Sequence, residues 1–179
     1  MEKQMTVYTR TRAQKQNDFL EAREYEEYLE SRLGVACDSR FDSTTELDIW
    51  VPGYMIEAKE KKQKYTKRWQ LLEGVLEENL FIIDELTIRR ALGEWPGAFF
   101  LLRDTVYPSG PRLFLAPIWE LISVERVRVN RDKKGKWIID TTNFRQVRDE
   151  SEIPIIATHL LIEKAWKRSE CLGGEVGQV

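Results

Sequence analysis

The stretch ELDIWVPGYMIEAK, residues 46–59, constrains this chain more than any other. Two runs rich in strand-forming residues flank Pro52-Gly53, the pattern of a β-hairpin. A four-residue loop over Val51–Tyr54 sets Trp50 opposite Met55, Ile49 opposite Ile56, Asp48 opposite Glu57 and Glu46 opposite Lys59. A bulged three-residue loop would offset that register by one, and Pro-Gly prefers a type II turn, which fits a two-residue hairpin poorly. Strand side chains alternate between faces, so in the four-residue register positions 46, 48, 57 and 59 project to one side. Three carboxylates and one ammonium then gather at one end of an apolar hairpin. Directly opposed carboxylates destabilise a strand pair. The pair needs protonation, relief by Lys59 or a bridging cation.

A hard dication such as Mg²⁺ takes oxygen ligands, commonly one or two carboxylates completed by water and substrate phosphate. Lys59 follows Glu57 on the same strand face, about 7 Å along. From there it can touch a metal-bound water or a phosphate oxygen, which suits phosphodiester hydrolysis. The plainer reading of Glu-x-Lys is chance in a chain with 28 Lys+Arg and 30 Asp+Glu, and Glu60-Lys61-Lys62 supplies a second instance. What separates the first instance is the aspartate opposite its glutamate.

A helix is expected from Asn17, as N-cap, to Leu33, with Gly34 as its stop. Its inward stripe reads Phe19, Ala22, Glu26, Leu29 and Leu33, while Glu21, Glu24, Glu27 and Glu30 lie toward solvent. Glu26 interrupts the apolar stripe, and an inward carboxylate is costly unless paired or metal-bound. Either the helix is rotated so that Tyr25 and Tyr28 face the core, or Glu26 leans over the hairpin and joins the acidic cluster.

Around these segments we expect a first strand at 35–41, a second helix at 66–80 with Trp69, Leu72, Leu76 and Leu80 at helical spacing, and a buried strand at 98–104. A strand and short helix follow within 111–122, then a hairpin around RDKKGK and a last helix at 155–167. Residues 1–16 read as a basic, flexible arm, 17–170 as one domain and 171–179 as a loose tail. At 42% hydrophobic and 32% charged, the 179 residues suit a single globular domain. A net charge of −2 rules out a uniformly polybasic nucleic-acid binder. Cys37 and Cys171 form no metal-ligand spacing and suit a reducing compartment. Without a signal-peptide core or a long apolar run, the expectation is cytoplasmic, with no membrane partner. The lone His159 reads as structural, which leaves no support for a His-based nuclease or a Ser-His triad.

A helix with an inward Glu26 and Leu33-Gly34, a strand bearing Glu46-Leu47-Asp48, then Glu57-Ala58-Lys59: this order resembles the PD-(D/E)XK nuclease superfamily. The likeness spans roughly residues 19–120, including LFLAPIWEL (113–121), and departs from the family in having Leu47 where a proline commonly precedes the aspartate. The resemblance implies an α/β fold with a restriction-endonuclease-like αβββαβ core. Its mixed central sheet would be flanked by helices, with an extra C-terminal hairpin and helix. It also implies that Asp48, Glu57 and the Ala58 carbonyl bind Mg²⁺, with Mn²⁺ substituting, and that Glu26 joins them directly or through water. Lys59 would position or deprotonate the attacking water and steady the phosphate. Gln70 resembles a glutamine found near such sites, and Glu46 would either orient Lys59 or touch metal.

The basic run Lys59, Lys61, Lys62, Lys64, Lys67 and Arg68 begins at this cluster, with Tyr65 and Trp69 interleaved. It reads as solvated surface or, beside a metal site, as a DNA path using Lys61, Lys62, Lys64, Tyr65, Lys67, Arg68 and Gln70. Arg126, Arg128, Arg131, Lys133, Lys134 and Lys136 make a second cluster, and Glu73, Glu77, Glu78, Asp84 and Glu85 an acidic surface. The expected function is a metal-dependent deoxyribonuclease, a structure-selective endonuclease of recombination or repair ahead of restriction. It would act as a homodimer and without a small-molecule cofactor. A non-catalytic DNA-binding or assembly protein on the same fold, and an RNA-processing nuclease, are the alternatives.

Overall fold

A computed structural model describes residues 11–40, 45–65, 72–131 and 134–173. The fold is mixed α/β. In chain order it runs α1 (Arg12–Leu33), β1 (Asp38–Ser39), β2 (Ile49–Val51), β3 (Tyr54–Lys61), β4 (Leu80–Asp84), α2 (Glu85–Gly93), β5 (Ala98–Asp104), β6 (Arg112–Pro117), α3 (Ile118–Leu121), β7 (Arg126–Arg131), β8 (Lys134–Asp140), β9 (Arg145–Val147) and α4 (Ile153–Gly173).

A six-stranded sheet has the order β1-β2-β3-β5-β6-β9, with β3 and β5 parallel and every other neighbouring pair antiparallel. A parallel pair needs a crossover, which β4 and α2 provide. A second, three-stranded antiparallel sheet has the order β4-β8-β7. The hairpin expected around RDKKGK is therefore β7–β8, joined to β4 and not to the large sheet.

Strand β5 explains the layering. Its residues Ala98 to Leu102 are fully buried and face both ways. Phe99 and Leu101 pack with Leu29, Leu33, Ile153 and Leu160 under α1 and α4. Phe100 and Leu102 pack with Ile83, Ile88, Ile118 and Ile139 under the small sheet, α2 and α3. Each such side chain contributes about 1.5–3 kcal/mol by leaving water. A strand apolar on both faces belongs between two layers.

Three expectations are corrected here. Helix α1 starts at Arg12, capped by Thr11: Thr11 Oγ1 accepts from Gln14 N, and Gln14 Oε1 accepts from Thr11 N. That reciprocal cap lies ahead of Asn17, so residues 12–16 are helix and not arm; residues 1–10 lie outside the described residues. The inward face of α1 is Tyr25, Glu26, Leu29 and Leu33, while Phe19 and Ala22 are exposed, because α1 is largely exposed before Tyr25. Tyr25 and Glu26 both turn inward, whereas Tyr28 is half exposed.

The largest difference concerns the helix expected at 66–80. Residues 66–71, with Lys67, Arg68, Trp69 and Gln70, lie outside the described residues. Residues 72–80 contain no α-helix: Gly74 sits at φ 77, Glu77–Asn79 make one 3₁₀ turn, and Leu80 begins β4. Helical spacing of leucines gives way to pairing with β8, which sets Phe81 opposite Ile139 and Ile82 opposite Ile138. The crossover helix is α2. The strand at 98–104, the strand and short helix within 111–122 and the last helix lie where the sequence pattern put them, α4 extending to Gly173.

Candidate active site

The hairpin register matches the four-residue expectation: Val51 faces Tyr54, Trp50 faces Met55 and Ile49 faces Ile56. Regular pairing ends there and the chain bends at Asp48. Simple alternation would set Leu47 beside Ile49, toward α1. Instead Leu47 is buried on the opposite face with Met55, Phe100 and Ile88. The bend turns the Asp48 carboxylate inward, where Oδ2 accepts from Ala58 N at 2.8 Å. It also removes Glu46 from its expected place opposite Lys59: the Glu46 carboxylate lies 4.0 Å from Arg40 Nε.

Glu57 is fully buried, and its carboxylate ion-pairs with Lys59. The same ammonium lies 3.8 Å from Asp48 Oδ2, so both carboxylates share one cation. Glu26 reaches the group from α1 and accepts from Ser39 Oγ at 3.2 Å. Helix α2 adds Arg90, whose Nη2 lies 3.9 Å from Glu57 Oε1. Arg90 also donates to the Glu46 carbonyl at 3.1 Å and to Thr87 Oγ1 at 3.3 Å. Thus Glu26, Asp48, Glu57 and Lys59, three segments in sequence, meet in space.

The electrostatics follow from the crowding. Burial, then the nearby Asp48 charge, pushes Glu26 up to about 8, against the Ser39 hydrogen bond. Burial also raises Glu57, with Lys59 opposing and Asp48 adding to the rise. For Lys59, burial acts downward, but the Glu57 and Asp48 carboxylates outweigh it and hold the ammonium above its ordinary range.

Among the described residues, no three or more His, Cys, Asp or Glu side chains form a metal-holding group, and Lys59 lies against both Asp48 and Glu57. Two carboxylates nonetheless suit Mg²⁺, which fills its remaining positions with water and phosphate. Lys59 stands against Glu57 Oε1, while the buried Oε2 meets no donor in hydrogen-bonding geometry. A carboxylate oxygen left without a donor at such a site fits a hard cation.

The expected DNA path needs revision. Lys61 is buried, donating to the Glu77 and Leu80 carbonyls at 2.9 and 3.3 Å and pairing with Glu77 and Asp104. Tyr65 packs against that ammonium, and its hydroxyl accepts from Ile82 N at 3.2 Å. They fasten the end of β3 and the segment after it to β4, which turns Lys61 and Tyr65 away from the expected nucleic-acid path. Lys62 is exposed with Glu21 and Glu60 beside it, and Lys64 is exposed. In the later hairpin, Arg128 pairs with Glu85, Lys136 with Asp84, and Arg126 stacks on Trp137. The acidic surface is thus partly neutralised by the second basic cluster. His159 is exposed on α4 and not structural in the core.

Arg90 went unread in the sequence because α2 did. Its signal is faint: Thr87, Ile88 and Ala91 face inward at helical spacing, and Arg90 comes three residues after Thr87, beside that stripe. No family model, no curated protein and no solved structure matches the chain. No helix among the described residues is long and apolar enough to cross a membrane.

Proposed function

We propose that this chain is a metal-dependent nuclease of the PD-(D/E)XK kind, hydrolysing phosphodiester bonds in DNA, with structure-selective cleavage in recombination or repair as its use. The observation that carries this reading is the convergence of Glu26, Asp48, Glu57 and Lys59 from α1, the bend before β2, and β3. The topology supports it: one helix, three antiparallel strands, a helical crossover and a strand parallel to the third is the order expected of a restriction-endonuclease-like core.

Asp48 and Glu57 would hold Mg²⁺ or Mn²⁺ together with the Ala58 carbonyl, with Glu26 directly or through water. When bound, such an ion lowers the pKa of its water and neutralises charge on the phosphate. Lys59 Nζ then holds a phosphate oxygen or the water that attacks it. Before an ion binds, Glu26, with its elevated pKa, can hold a proton near neutral pH, which it would release on joining the ion. Arg90 fixes the Glu46 carbonyl and so the bend that aims Asp48. The exposed Lys62 and Lys64 carry the proposed DNA contact among the described residues.

The test is cleavage of linear duplex, single strand, four-way junction and structured RNA in Mg²⁺ or Mn²⁺ against EDTA. Metal-dependent cutting that Lys59→Ala abolishes supports the reading, and the preferred substrate separates a deoxyribonuclease from an RNA-processing enzyme. Equal DNA binding by both proteins with no cutting would replace it with a non-catalytic binding protein.

A further inference from the structure

Helix α4 is apolar on two opposite sides. Ile153, Ala157 and Leu160 face the core. Opposite them lie Ile155, Thr158, His159, Ile162, Ala165 and Trp166, all exposed; Ile155, Ile162 and Trp166 are 63%, 57% and 66% accessible. At 100° per residue these six span an arc of about 120°, and no charged residue falls within it between Ile153 and Ser169. A surface helix normally turns charge to water, and one apolar all round is normally buried on both sides. The spacing Ile155-His159-Ile162-Trp166 alternates four and three residues, the seam of a helix that packs against another helix.

We propose that this outer face of α4 docks on the same face of a second copy of the chain, as an antiparallel pair across a two-fold axis. The charges at its borders fit that partner. Glu152 closes the 3₁₀ turn just ahead of α4, half-buried, with Oε2 accepting from Arg148 N at 3.1 Å. Lys167 is exposed toward the end of α4, and at 100° per residue both fall on one flank of the apolar arc. An antiparallel pair brings Glu152 of each copy toward Lys167 of the other and Glu163 toward His159. Such reciprocity is what an isologous contact requires. Antiparallel helices also set their end charges in register with each other. A few apolar side chains fall short of the roughly 800 Å² per partner of a standard interface, so the dimer is expected to be weak and concentration-dependent. The inference does not rest on the nuclease reading, since it uses none of the site residues.

Sedimentation of the full chain over a concentration series tests it. The wild type is expected to shift from monomer to dimer. Ile155→Asp and Ile162→Asp should each abolish the dimer with unchanged far-UV circular dichroism, because both side chains are already exposed. Leu86→Asp, equally exposed on α2, should leave it intact. Lys167→Glu should weaken the dimer severalfold and Glu152→Lys, added to it, should restore affinity. A wild type monomeric throughout, a dimer that survives both isoleucine changes, or equal loss in Leu86→Asp overturns the proposal. A monomer that instead binds lipid vesicles through Ile162 also overturns it.

Discussion

Among single residues, two lysines two positions apart on β3 have opposite roles. Lys59 is partly exposed between two carboxylates, while Lys61 is sealed beneath Glu77 and Asp104. Removing one partner of a buried ion pair costs about 3–5 kcal/mol. Lys61→Ala is therefore expected to lower unfolding free energy by about that amount in urea titration, while leaving unchanged the salt dependence of the DNA binding proposed above. Glu26 predicts a pH effect whose sign is fixed by its shift from the ordinary 4.5 to about 8. Between those values the folded state keeps a proton that the unfolded state has released. The associated stability is full below about 4.5 and is lost as pH rises through about 8. In EDTA, the melting temperature of Glu26→Gln should fall less between pH 5 and pH 9 than that of the wild type. An equal fall in both proteins would place the titration elsewhere. The gathering of Glu26, Glu57 and Lys59 was legible because hairpin register and an inward helix position are local patterns, whereas Asp48 joins them from a bend beyond the paired register. Arg90 was not, since its partners lie on segments distant in sequence.

Elements follow their local pattern where packing agrees with it and abandon it where packing does not. Helix α1 keeps its Gly34 stop, at φ 65, and its inward Leu29 and Leu33. Leu29 is fully buried between α1 and the large sheet, so Leu29→Ala should cost about 2–5 kcal/mol, measured by chemical denaturation. A smaller loss would mean that α1 contributes little to the core beneath it. In the segment before β4, leucines at helical spacing form no helix within 72–80, because Gly74 needs a left-handed backbone and β8 offers a complete set of strand partners. Lys61 belongs to the same episode. Its place in a lysine-rich run suggested surface, but its position on β3 aims it under the β4 strand.

Across the whole molecule, the six-stranded sheet divides two cores, and β5 is buried by both. Amide exchange should therefore be slowest in β5 and fastest in residues 12–24 of α1, which are almost wholly exposed. Similar protection in the two regions would contradict this layering. The amino-acid sequence by itself determined the hairpin and its register, the buried β5 and the inward placing of Glu26 and Glu57 that lets them gather with Asp48 and Lys59. Each depends on alternation, turn chemistry or a helical stripe within a few residues. Only the tertiary structure decided that β4 joins β8, that Asp48 sits on a bend, that Lys61 and Tyr65 face inward, and that Arg90 reaches the acidic cluster. These depend on which distant surfaces meet, and burial and pairing across the fold outweigh the small energies of local propensity.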